Sequence, residues 1–353
     1  MTNLRSASPE GYVRLHYNEN TAGCSPAVLA AIRAMSREDV GYYPDVARSI
    51  ERIERWFGLP AGWAQITNGL DEGIQMVSQC GVLHGTGLAD VADTAERQVV
   101  VVEPAFEVYE MCATSLGASI VRVLPDADLD LPLERLLASI TPATRVIYLT
   151  DPNNPTGLSI PAGAVERVAE SAPHAFVLVD EAYADFSGRT LIGPLLERRK
   201  NVVVGRTFAK GHGIAGLRVG ALVAHPETIG RLRTMQLPFS INCCAMAALE
   251  AALDDKPYLD WYVAQSKRSR ELVYDFCRRH GLAFWPSEGN FVLVRVGPGA
   301  AAITGALQAR RVLVRDKSPA PGCAGCIRLT AGVVEHTELA LAALEDVLAS
   351  RAH

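Results

Sequence analysis

The chain has 353 residues, 49% hydrophobic and 21% charged, which fits two domains or one large unit with a smaller lobe and excludes disorder. A formal net charge of -5 leaves no basic footprint for nucleic acid, and no apolar run reaches the ~20 residues that span a bilayer. The start, "MTNLRSASPEGYVRLHYNEN", lacks the apolar stretch of a signal peptide, so a cytoplasmic protein without membrane or nucleic-acid partners is expected.

In chain order, "TNGLDEGI" (67–74) is the first informative stretch. It follows a predicted strand and opens a helix with Asn-Gly and then acids, and free amides at a helix start favour phosphate. Residues 83–98, "LHGTGLADVADTAERQ", form a long connection with little periodicity. Beyond it, "RQVVVVEP", "ATRVIYLTDPNNP", "HAFVLVDEAY" and "KNVVVGRTF" are short β-branched apolar runs ending in polar or turn residues. Helix-like stretches such as "AFEVYEMCATSLG" and "PAGAVERVAESA" lie between them. Runs apolar on both faces, alternating with helices, predict a doubly wound α/β domain with a mostly parallel sheet. Ligands of such sheets sit beyond the carboxyl ends of the strands, where Asn154, Asp180 and Thr207 all fall.

The stretch "GRTFAKGHGIAGLRVG" (205–220) sets Lys210 among small residues, with Arg206 and Arg218 on either side. Burial near other cations lowers a lysine pKa and makes the amine a nucleophile. Asp180 follows the apolar run "FVLV" and needs a partner: a metal, an arginine or a protonated ring nitrogen. Tyr183 offers a hydroxyl three residues on. Gly211, Gly213 and Gly216 match the letters of a dinucleotide-binding glycine motif, but late in the chain and without the first-strand context a Rossmann dehydrogenase needs.

The last third changes character. A long amphipathic helix, "PYLDWYVAQSKRSRELVYDFCRRHG", is stopped by Gly281; then come a strand in "GNFVLVRVG", a helix near 299–310, the strand "RVLVRD", "CIRLTAG" and a final helix from His336. This predicts a smaller α+β lobe completed by the N-terminal segment. The expected division is an arm over 1–40, a large domain over 41–245 and a small domain over 246–353. The eight cysteines are scattered, and the lone C-x-x-C of Cys323 and Cys326 has neither a second pair nor a histidine nearby. No disulfide framework and no metal site are expected; Cys323 and Cys326 are read as apolar fillers beside a strand.

Taken together, the segments "NEN" (18–20), "YYPD", "NGLDE", "DPNNPTG", "VDEAYADF", "RTFAK", "AGLRVG", "PSEGNF" and "VRDKSPAPGCAGCIRLT" are similar in order and content to the fold-type I pyridoxal-phosphate aminotransferases, most closely the histidinol-phosphate aminotransferase group. The resemblance implies that Lys210 holds the cofactor covalently and then shuttles a proton. Asp180 would pair with the pyridinium nitrogen, while Tyr183 and Asn154 would bond the phenolic oxygen. The cofactor's phosphate would meet the amides of Gly69 and Leu70, the Thr207 hydroxyl and Arg218, with Phe106 stacked on the ring. Tyr43 would reach the phosphate in the neighbouring subunit of a homodimer. Arg328, with Asn20 and Arg315, would bind the substrate.

The implied reaction is ping-pong transamination between an amino donor and a keto acid, with glutamate and 2-oxoglutarate as the common pair. Decarboxylation or cyclisation on the same scaffold is the alternative; a non-catalytic sensor would carry a further DNA-binding domain and a basic patch. Three positions depart from the family pattern. Ala209 replaces a serine of the phosphate cup, Leu70 a small or hydroxylated residue, and Ala22 an aromatic residue that closes the substrate pocket. A cup short of two hydroxyls is expected to hold the cofactor less tightly.

Overall fold

In a computed structural model of the chain, residues 11–88 and 96–350 are described; the first ten residues of the expected arm and residues 89–95 of the long connection lie outside them. The large unit is built on a seven-stranded sheet. From one edge its strands are Ala64–Asn68, Val219–Ala224, Val202–Thr207, Phe176–Asp180, Thr144–Thr150, Gln98–Val102 and Ser119–Val123. Every pairing is parallel except the two made by Val219–Ala224, a reversed strand not separately predicted from the sequence. Its central strands are buried along their whole length, as valine-rich runs covered on both faces require. The strand ends are close to level: Thr150 lies beside Asp180, and Asp180 beside Gly205, two residues before the strand end at Thr207.

The smaller lobe is an antiparallel four-stranded sheet ordered Arg315–Asp316, Cys326–Thr330, Phe291–Arg295, Ala283–Trp285. Val292, Val294, Ile327 and Leu329 of one face pack with residues of the helices Lys256–Arg279, Ala300–Ala309 and Val334–Ala349. Leu293 and Cys326 of the other face cluster with Leu129 and Leu158 of the large unit. Cys323 and Cys326 are buried in this apolar cluster.

Two expectations change. The stretch "RVLVRD" is not one strand: Val312–Leu313 pairs in parallel with Val13–Arg14 of the arm, and only Arg315–Asp316 joins the four-stranded sheet. The chain changes partner at Val314, whose side chain is buried in the lobe's core. The helix Cys243–Asp254 straddles the expected 245/246 boundary, and its Ala245, Ala248, Leu249, Ala252 and Leu253 bury into the core of the seven-stranded sheet. We therefore propose that the division falls after this helix, where Asp255 caps the long helix Lys256–Arg279.

The arm crosses between the units. Leu15 belongs to the small lobe's core, whereas Val28, in the helix Pro26–Arg33 capped by Ser25, is buried in the large one. The stretch between them passes directly over Lys210, whose Nζ donates to the Tyr17 carbonyl at 3.0 Å.

Candidate active site

Each of the central strands ends in a polar residue because the apolar run needed for burial stops where the sheet meets the cleft. Asp180, the last residue of its strand, is buried. The Tyr109 hydroxyl donates to its Oδ2 at 2.7 Å and the Ala182 amide to its Oδ1 at 2.9 Å. Burial nevertheless pushes the Asp180 carboxyl up to about 6. The same burial, with the neighbouring carboxylate, holds Tyr109 well above the usual phenol range, so it remains a donor. Tyr109 also shares a 2.8 Å hydrogen bond with Thr150 and stacks on Tyr148 with ring centroids 4.9 Å apart. Tyr109 was not singled out from the sequence: its signal, a tyrosine inside an apolar helix, is indistinguishable there from core packing.

Lys210 lies beyond the strand Val202–Thr207. Burial first, and Arg328 second, lower its pKa to about 8. The sequence reading named Arg206 and Arg218 as the cations responsible. Arg206 instead pairs with Asp185 at 2.6 Å and Glu181 at 3.4 Å, and Arg218 with Asp71 at 2.7 Å. Two glycines of the lysine loop make room for other parts of the protein. A Cβ on Gly213 would strike the Gly23 carbonyl of the crossing arm, and one on Gly211 would meet Leu259 at 2.6 Å and Asp185 at 2.9 Å. The "GHGIAG" stretch runs into a three-residue 3-10 turn and an antiparallel strand, with no helix to receive a dinucleotide, so a Rossmann site is not formed there.

An anion cup lies at the start of the sixteen-residue helix Gly69–His84. Gly69 has φ +72, and a Cβ there would collide with the Arg218 guanidinium. Only glycine lets that cation reach the helix start. Thr207 ends its strand nearby in the sheet, its hydroxyl accepting from the Ala209 amide at 3.2 Å. Leu70 turns its side chain away from the cup, against Gly205 and Gly73, so only its backbone amide is available there. Phe106 flanks the site, edge-on to Tyr109 at 5.9 Å.

On the small-lobe side, Arg328 is buried; its Nη1 donates to Asn154 Oδ1 at 2.5 Å and its Nη2 to the His16 carbonyl at 2.6 Å. Its Nε has no hydrogen-bond partner among the described residues, and burial lowers its pKa to about 10. Arg315 sits directly across the ladder from Arg328 and 3.6 Å from Glu107. Tyr183 accepts from Asn18 Nδ2 at 3.0 Å. Asn18, in the left-handed region at φ 55, is further tied to Thr330 and Asn290, a role its sequence context did not reveal. Asn20 spends its side chain on protein groups, donating to the Gly211 carbonyl at 3.0 Å and accepting from the Ala22 amide at 3.0 Å. Tyr43 stands apart, 78% exposed and stacked on the exposed Phe239 with ring centroids 4.1 Å apart.

A buried lysine amine, a buried acid and a glycine-opened helix start thus lie together near the strand ends, and the chain as a whole matches a known sequence family. The aminotransferase class I and II profile covers residues 10–344. The chain belongs to the class I and II aminotransferases. This aminotransferase is 35% identical over 339 residues to the histidinol-phosphate aminotransferase of Symbiobacterium thermophilum, covering 95% of this chain and 90% of the relative. It is 34% identical to histidinol-phosphate aminotransferase 2 of Ralstonia nicotianae, over 96% of this chain and 89% of that one. Among solved structures, the histidinol-phosphate aminotransferase from Sinorhizobium meliloti in complex with pyridoxal-5'-phosphate superposes with a TM-score of 0.80 at 28% identity, covering 96% and 90% of the two chains.

Proposed function

We propose that this aminotransferase uses pyridoxal 5'-phosphate to exchange an amino group between histidinol phosphate and a keto acid, with glutamate and 2-oxoglutarate as the common pair. The observation that carries this reading is the meeting, at the ends of adjacent strands, of an amine held near 8, a buried carboxyl and a glycine-lined cup filled by an arginine. The substrate named in the relatives fits the cationic side of the cleft formed by Arg328 and Arg315.

When bound, the cofactor supplies an aldehyde carbon for the amine and a ring that withdraws electrons. Lys210 would be the residue that holds the cofactor, and its neutral amine would carry the proton to and from the substrate α-carbon. A depressed pKa keeps enough of the amine neutral for both tasks. Asp180 holds the positive charge of the ring nitrogen, and Tyr109 fixes the carboxylate that does so. Because Tyr183 accepts from Asn18, its own proton is free to donate to the cofactor's phenolic oxygen. Because Asn154 Oδ1 accepts from Arg328, the Asn154 amide group is likewise left to donate. Gly69, Leu70, Thr207 and Arg218 hold the phosphate, and Phe106 covers the ring. We assign Asn20 a positioning role, tying the arm to the lysine loop.

Tyr43 and Phe239 are exposed and stacked on each other, an apolar pair of the kind that marks an interface, and a homodimer with Tyr43 reaching the partner's cofactor accounts for it. No helix among the described residues is long and apolar enough to cross a membrane, and we place the enzyme in the cytoplasm. The test is a half-reaction screen: enzyme loaded with pyridoxal phosphate is mixed with histidinol phosphate and a panel of amino acids, and the visible spectrum is followed. Conversion by histidinol phosphate and glutamate is expected; conversion by neither, with another amino acid reacting instead, overturns the substrate assignment.

A further inference from the structure

Lys317 is a cation that the reading above leaves without a task. Strand periodicity places it on the same face as Arg315, two residues before it, and Arg315 lies directly opposite Arg328. Its backbone amide bonds the Cys326 carbonyl at 2.9 Å, which extends the same ladder one step toward the large unit. Three cations thus line one strip of the small lobe's cleft face. Facing them from the start of the helix Glu107–Ser115 is one carboxylate, Glu107, which lies 3.6 Å from Arg315.

No ion pair or hydrogen bond joins the Lys317 amine to another described residue. Arg328 has committed both Nη groups and keeps only its Nε. Burial, reinforced by Arg328 and Arg315, lowers Lys317 to about 8, with Glu107 acting weakly the other way. Two further neighbours stay neutral: burial pushes the Cys323 thiol up to about 12, with Arg295 and Glu103 acting on it in opposite directions, and burial with nearby arginines holds His16 down at about 4. Three cations against one acid leave an excess of two positive charges. A carboxylate on the substrate's α-carbon brings one negative charge. A phosphomethyl arm in the same place extends further along the strip and brings nearly two.

We propose that Lys317 is a specificity-determining residue, the third cation that makes the Arg328–Arg315 subsite prefer a phosphate monoester over a carboxylate. This rests on the reading of Arg328 and Arg315 as the substrate-anion cations and adds the residue that counts the charge. The lysine's cost of burial is relieved only by a ligand with a second charge to offer, so discrimination resides in the loaded complex. As pH rises through about 8 the free amine loses its proton, and the preference for the phosphorylated donor is lost while that for a carboxylate donor is not.

The experiment compares holoenzyme carrying Lys317→Met, Lys317→Gln or Lys317→Arg with the native enzyme. Histidinol phosphate and glutamate serve as amino donors across pH 6 to 9. The ratio of kcat/KM for the two donors is expected to fall about 10- to 100-fold in the Met and Gln variants, the range of one lost charge-assisted hydrogen bond. Arg is expected to restore most of it. The decline of the native ratio above pH 8 should be flat in the Met variant; using the ratio cancels the titration of enzyme groups that act on both donors alike. A ratio within twofold of native in both neutral variants overturns the proposal. If native holoenzyme takes nitrogen from neither donor, the transamination reading fails instead, and calorimetric binding of glycerol phosphate, a monoester with no amine, decides the role of Lys317. Binding weakened at least tenfold by Lys317→Met sustains it, and unchanged binding refutes it.

Discussion

The two sides of the cleft are built differently. On the large-unit side, Asp180 and Thr207 are the last residues of adjacent strands and Lys210 follows Thr207 closely, so the spacing of the group is set by a parallel sheet whose strands end close to level. On the small-lobe side, Arg315, Lys317 and Arg328 converge by pairing of two short antiparallel strands, and Arg328 is oriented by contacts to the arm and to Asn154. The first side gathers a buried acid and a buried amine at the ends of neighbouring strands. The second is a strip of three cations, in which Arg328 is bound to Asn154 and the His16 carbonyl and Arg315 faces Glu107. Under the proposed assignment, chemistry and choice of substrate are held by separate sheets, so a substitution on one side should change every donor alike and one on the other should separate them.

The largest expected effect tests the chemical side. Lys210→Ala should lower turnover by at least about 10³-fold with every donor, and borohydride reduction should no longer fix cofactor to the chain. A label found on another lysine would break the comparison at its root. Asp180→Ala should cost about 10²–10³-fold, again irrespective of donor, because one preorganised charge partner is removed. Single-turnover rates with two donors read this directly.

Arg328→Leu tests the other side. It removes the donor of Asn154 Oδ1 and the His16 carbonyl together with the substrate's cation. A fall of about 10²-fold in kcat/KM, dominated by KM, is expected. A fall confined to kcat would place Arg328 with the chemistry instead. Tyr109→Phe should have a smaller consequence, about tenfold, since Asp180 keeps the Ala182 amide and loses one hydrogen bond. Its mark should be a shift in the pH at which the cofactor's visible band titrates, which a purely structural role would not move.

The remaining effect concerns stability. With no ring nitrogen bound, Asp180 has a folded pKa of about 6 against 3.8 for the ordinary group. The folded state therefore holds this proton more tightly than the unfolded chain. Cofactor-free protein should lose up to ~3 kcal/mol as pH rises from about 4 to about 6, read as the difference between native and Asp180→Asn unfolding curves. Saturation with cofactor should remove most of that loss. A difference curve of opposite slope would show that the carboxylate is already neutralised by a neighbour.

Much of the chemical side was legible in the residues. Apolar runs of strand length, each closed by a polar residue, locate Asp180 and Thr207, and the glycine before a helix locates the cup at Gly69. The physical reason is local: a buried strand must end before its first charged residue, and a helix start must leave its amides free. What the residues left hidden was the cause of each environment. The glycines of the lysine loop were legible as a need for space, but the tertiary structure shows the space is taken by Gly23, Asp185 and Leu259. The substitution at Leu70 read as a lost hydroxyl, and packing turns that side chain to the core, leaving the backbone alone at the cup.

By itself, then, the amino-acid order determined most of the sheet and its polar strand ends, because those follow from periodicity over a few residues, while Lys210 was singled out as the amine only by the resemblance of the whole set of motifs to a family. Only the tertiary structure decided that Tyr109 supports Asp180, that Arg328 and not Arg206 or Arg218 is the cation acting on Lys210, and that Lys317 joins Arg315 and Arg328 on one strip. Such pairings join residues far apart in the chain, and their energies depend on burial and register, neither of which any local stretch contains.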